Sequence, residues 1–105
     1  MPEIRANLPS KQIESFCRKW KIIELSLFGS ALRDDFGPQS DVDLLATFAE
    51  DADWSLLDHA QMELELKEFL GREVELLTRH AVENSGNPFR KREILRTARS
   101  IYRAA

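Results

Sequence analysis

Two short apolar runs constrain this chain more than any other feature. Residues 22–28 alternate, with Ile23, Leu25 and Leu27 on one face. Residues 41–48 alternate again, with Val42, Leu44, Ala46 and Phe48 facing one way and Asp41, Asp43, Leu45 and Thr47 the other. A period of two marks half-buried strands, so a sheet is required. Residues 73–78 give a third strand, with Val74 and Leu76 on one side and Glu73 and Glu75 on the opposite one.

Helical spacing fills the intervals. Residues 9–20 place Ile13, Phe16, Cys17 and Trp20 at i, i+3, i+4 and i+7, one stripe of an amphipathic helix. Residues 31–36 form a short helix stopped by Gly37-Pro38. A helix over about 54–70, N-capped by Asp53 and ended by Gly71, carries an apolar arc too wide for one contact face. Residues 83–88 read as a loop, and Pro88 opens a final helix over 88–103. On that helix Ile94, Leu95, Ala98, Ile101 and Tyr102 make one stripe, and Arg92, Arg96, Arg99 and Arg103 another. This order predicts an α/β (α+β) fold, a small mixed sheet backed by helices.

At 105 residues and 12.1 kDa the chain is expected to form one domain, 1–105. Its 43% apolar and 31% charged residues exclude a disordered or membrane-embedded protein. No apolar run approaches the roughly 18 residues that span a bilayer, and the first residues do not open a signal peptide. Cys17 is the only cysteine, which excludes an internal disulfide and a cysteine-rich zinc site, so a cytoplasmic location is expected. The net charge of −3 divides into −8 over residues 1–78 and +5 over 79–105. An acidic body argues against coating nucleic acid, and no direct nucleic-acid binding is expected.

The chemistry concentrates in residues 27–45. Asp41 and Asp43, two apart on a strand, project from one face with Cα atoms about 7 Å apart. Two such carboxylates repel, and a divalent cation shared with phosphate oxygens relieves the repulsion. Gly29-Ser30 ends the preceding strand. A glycine there permits close backbone approach, the serine adds a hydroxyl, and a following helix N-terminus offers N–H groups to a phosphate. An anion cradle beside a metal clamp suits phosphoryl or nucleotidyl transfer. Glu75 and Glu73 are the candidates for a third acid, and Glu75 is favoured because it lies between Val74 and Leu76, whereas Glu73 adjoins a turn. Arg33, Asp34, Asp35, Ser40, His59 and His80 read more simply as surface, turn or packing residues.

At these residues the sequence resembles the minimal nucleotidyltransferase (MNT) domains of the polymerase-β superfamily. Their signature is Gly-Ser, about ten residues, then Asp-x-Asp, here Gly29-Ser30 and Asp41-Val42-Asp43. Trp20, Leu32-Arg33, Ser40, residues 71–76 and residues 88–102 extend the likeness over nearly the whole chain. One departure is Glu75 where the family usually has aspartate. The resemblance implies a polymerase-β-like nucleotidyltransferase core binding ATP and Mg²⁺, with two ions. Gly29 and Ser30 would hold the triphosphate, Asp41 and Asp43 the metals, and Glu75 the third acidic position, serving in metal binding and catalysis. It further implies an antitoxin that transfers AMP to a tyrosine of a HEPN-domain RNase toxin, in a hetero-oligomer. The alternative is a non-catalytic antitoxin that neutralises its HEPN partner by binding alone. A basic final helix that binds nucleic acid is a weaker third reading, because no aromatic stacking platform accompanies the arginines.

Overall fold

The computed structural model describes residues 9–29 and 41–104. They form α1 (Ser10–Lys19), β1 (Ile22–Phe28), β2 (Val42–Phe48), α2 (Leu56–Leu70), β3 (Val74–Thr78), α3 (Arg79–Glu83), α4 (Pro88–Thr97) and β4 (Arg99–Arg103). The short helix expected over 31–36 lies outside the described residues.

The four strands make one mixed sheet in the order β3-β2-β1-β4. β1 runs antiparallel to both β2 and β4, while β2 and β3 are parallel and joined through α2. Parallel neighbours need such a crossover, and a helix that buries one stripe on the sheet supplies it. The alternation of β2 divides the molecule as the sequence indicates. Val42, Leu44 and Ala46 join Ile13, Phe16 and Cys17 of α1 and Met62 and Leu66 of α2 in the main core. Leu45 points to the opposite face, where it packs with Phe28, Val82 of α3 and Ile94 of α4. Leu25, Leu27 and Leu44 are fully buried, and truncating any of them to alanine should cost about 2–5 kcal/mol. Burial also pushes the Cys17 thiol up to about 12, as befits a packing residue rather than a nucleophile.

Three expectations are corrected, and one element is added. The first concerns β1, where Ile22 rather than Ile23 enters the core. An irregularity in the β1–β2 register between Ile22 and Glu24 turns Ile23 outward to 43% exposure.

The second concerns the start of α2. Ser55, not Asp53, caps the helix: its Oγ accepts from Asp58 N at 3.2 Å, and Asp58 Oδ2 accepts from Ser55 N at 2.9 Å. This reciprocal pair satisfies two otherwise orphaned donors. Trp54 is kept out of the helix because its Nε1 donates to the Trp20 carbonyl at 2.9 Å and its ring packs edge-on to Trp20. Gly71 does end α2 as expected, in the left-handed region at φ +68°.

The third correction is the C-terminal segment. Helix α4 stops at Thr97, Ala98 is extended, and residues 99–103 form β4 against β1. The free edge of β1 offers unpaired backbone donors and acceptors, and pairing them outweighs the helical spacing of Ile101 and Tyr102. Arg99 and Arg103 therefore leave the arginine stripe, and Arg103 instead pairs with Glu24 across the strands at 2.7 Å. The added element is α3, one short turn of helix capped by the Thr78 hydroxyl, in a stretch with no apolar period long enough to announce it.

Candidate functional site

The candidate residues converge where β1 ends and β2 and β3 begin. Asp43 lies opposite Phe28 in the antiparallel β1–β2 register and opposite Glu75 in the parallel β2–β3 register. Adjacent strands are about 4.8 Å apart, so the two acids are immediate neighbours. Asp43 shares the face of Leu45, and Glu75 alternates with Val74 and Leu76, which puts both acids on the face that α3 and α4 partly cover. Asp41 immediately precedes β2, exposed and two residues from Asp43.

Gly29 follows β1 directly and adopts φ +69°. Its α-carbon faces Asp43 so closely that a Cβ there would collide with Asp43 Oδ2. The glycine is thus required twice, by its left-handed backbone and by the carboxylate beside it. Ser30 lies outside the described residues, as do Arg33 and Ser40.

The two glutamates separate. Glu73, next to the turn, accepts from Lys67 of α2 at 2.8 Å, and this contact raises the lysine above its ordinary range. Glu75 lies within β3 and is held by Arg90 of α4, whose Nη2 donates to Oε1 at 3.2 Å. Both side chains of that pair are about half exposed. The backbone of Arg90 is fixed in turn by the Asn87 cap, whose Oδ1 accepts from Arg90 N at 3.1 Å.

Two contributing residues escaped the sequence reading. Arg90 was hidden in a run of basic residues that resembles a solvated helix face. Glu63 of α2 was the other: its Oε2 accepts from Leu76 N at 2.8 Å, covering an N–H on the outer edge of β3. That bond anchors the strand one residue beyond Glu75, and no motif in sequence signals it.

The donor set fits a divalent cation. Asp41, just before β2, and Asp43, within it, would offer hard oxygen ligands, and the missing side chain at Gly29 is what lets the Asp43 carboxylate lie against the backbone there. Among the described residues no three His, Cys, Asp or Glu side chains already converge at metal-binding distance. Mg²⁺ suits such a site, since it commonly takes one or two carboxylates and completes its shell with water and substrate phosphate. A separate cavity of about 800 Å³ lies at the far end of β2, lined by Phe48, Trp54, Leu56, His59 and Met62. Its lining is mainly apolar, without the paired acids. Among the described residues no helix is long and apolar enough to cross a membrane.

Comparison with known proteins gives a consistent result. The nucleotidyltransferase domain model matches residues 9–101. A Methanocaldococcus jannaschii protein, provisionally named a protein adenylyltransferase, is 42% identical over 73 residues, covering 70% of this chain and 72% of its own. A solved structure provisionally named a minimal nucleotidyltransferase is 30% identical, with a TM-score of 0.65 over 86% of both chains. The crystal structure of a toxin–antitoxin with AMP-PNP gives a TM-score of 0.71 at 17% identity, over 92% of this chain and 75% of that one. A complex of a tri-AMPylated Shewanella oneidensis HEPN toxin with its MNT antitoxin gives 0.63 at 16%, over 90% and 70%. The last two likenesses are of fold.

Proposed function

The chain belongs to the nucleotidyltransferase domain family, and from that premise we propose that it transfers AMP from ATP to a tyrosine hydroxyl of a HEPN-domain toxin, neutralising it. The observation that carries this reading is the placement of Asp43 against Gly29 on one side and Glu75 on the other. The relative named as a protein adenylyltransferase supports the reaction class, and the AMPylated HEPN toxin bound to an MNT antitoxin supports the partner.

In this mechanism Gly29 and Ser30 seat the triphosphate, and Asp41 and Asp43 hold the metal, two Mg²⁺ ions in the full site. When bound, Mg²⁺ neutralises charge on the phosphate oxygens as the transition state forms. Glu75 serves as the third acid and receives the tyrosine proton. The tyrosine oxygen bonds to the α-phosphorus, the bond from that phosphorus to the β-phosphate bridging oxygen breaks, and pyrophosphate leaves. Residues 1–105 act as one domain in the cytoplasm, in a hetero-oligomer with the toxin.

The experiment is incubation of the protein with α-labelled ATP, Mg²⁺ and a HEPN protein encoded beside it, followed by mass spectrometry of the HEPN chain. Addition of AMP to tyrosine, abolished by Asp43→Ala, is the expected result. The engagement of Glu75 by Arg90 favours a second reading, neutralisation by binding alone. In that case neutralisation persists at full strength in Asp41→Ala/Asp43→Ala, and no AMP is transferred.

A further inference from the structure

We propose that Arg90 is a positioning residue that competes with the divalent cation for Glu75, withholding the third acid until metal binds. This rests on the metal-site reading above. Three observations carry it. Glu75 and Asp43 are register partners on neighbouring strands, so their carboxylates repel when no cation lies between them. Arg90 supplies a compensating charge through its 3.2 Å contact with Glu75 Oε1. The arginine is also poorly suited to its own helix. It lies in the first turn of α4 with Lys91 and no acidic residue, where the helix dipole disfavours cations. Glu75 is therefore its counter-charge. The Asn87 cap fixes the Arg90 backbone at the start of α4, from where its side chain reaches Glu75.

The consequence is an exchange. A cation drawn to Asp41 and Asp43 competes with Arg90 for the carboxylate of Glu75, whose Oε1 the guanidinium holds. Because the pair is half exposed, the competition is modest.

The test is calorimetric titration of the nucleotide-free protein with Mn²⁺, a probe for the Mg²⁺ site. Arg90→Gln should tighten Mn²⁺ binding about two- to fivefold, the effect expected for removing an exposed ion pair. Arg90→Lys, which restores the charge, should return most of the way to the wild-type value. In a Glu75→Gln background, Arg90→Gln should change nothing, because the contested carboxylate is gone. Arg92→Gln, which removes the same charge from the same helix, should have little effect. Equal Mn²⁺ affinity in wild type and Arg90→Gln overturns the proposal, as does an Arg90→Gln effect that survives Glu75→Gln. Failure of the underlying site is distinguishable: Mn²⁺ binding that is absent, or indifferent to Asp43→Asn, overturns the metal reading and this inference with it. Thermal melting of each variant establishes that the fold is retained.

Discussion

Asp43 and Glu75 stand side by side because β2 and β3 are parallel and in register, not because they are close in sequence. A shift of one residue in either strand would turn one acid into the core and leave the other alone. The register is held on the inner side by Val42, Leu44 and Leu76, all buried, and at the outer edge by Glu63.

Gly29→Ala should disable the site and strain the fold together. The left-handed backbone alone costs about 1–3 kcal/mol for a residue with a Cβ, and that Cβ would displace the Asp43 carboxylate. Urea denaturation should show the loss in stability, and AMP transfer should fall at least about a hundredfold. An alanine variant with wild-type stability and transfer contradicts this placement.

Glu63 offers a test of how the third acid's strand is held. Glu63→Ala leaves the half-buried Leu76 N–H without its acceptor and should cost about 1–3 kcal/mol. Glu63→Gln retains a side-chain oxygen to accept that bond and should keep most of the stability. Hydrogen exchange at the Leu76 amide should speed up in the alanine variant and much less in the glutamine one. Equal exchange rates in the two variants would place the anchor elsewhere.

Much of this arrangement is legible in the sequence. The alternation of 22–28, 41–48 and 73–78 locates three strands, and Gly29-Ser30 with Asp41-Val42-Asp43 marks the candidate site, because strand periodicity and turn chemistry are local properties. Glu75 could be named from its position between two core residues. The fourth strand could not, since five residues containing Ile101 and Tyr102 satisfy a helical stripe as readily as a strand. The deciding factor, the open edge of β1, lies about 75 residues upstream. Ser55 lost to Asp53 in the sequence reading for a similar reason, since the indole bond from Trp54 to Trp20 spans two distant segments. Arg90 and Glu63 share this character. Each acts through one long-range contact that no spacing rule encodes.

The β1–β4 pairing makes a prediction about acid stability. Hydrogen bonding from Arg103 holds the Glu24 carboxyl below its ordinary value, despite some burial that pushes the other way. A carboxyl lowered in the folded state contributes stability at neutral pH and loses it as pH falls through the folded value, so the effect lies below about pH 4.5. Arg103→Gln should therefore flatten the acid limb of a stability–pH curve while changing little under strongly acidic conditions. An unchanged acid limb would mean that the ion pair does not form in solution.

The central claim is that Asp41 and Asp43 grip Mg²⁺ beneath a nucleotide seated at Gly29. Calorimetric titration with ATP, with and without Mg²⁺, on wild type and Asp41→Asn/Asp43→Asn measures this directly. The expected result is saturable binding by wild type that strengthens with Mg²⁺, and loss of that metal dependence in the variant while its melting transition is retained. Equal ATP affinity in the two proteins with Mg²⁺ present would contradict it.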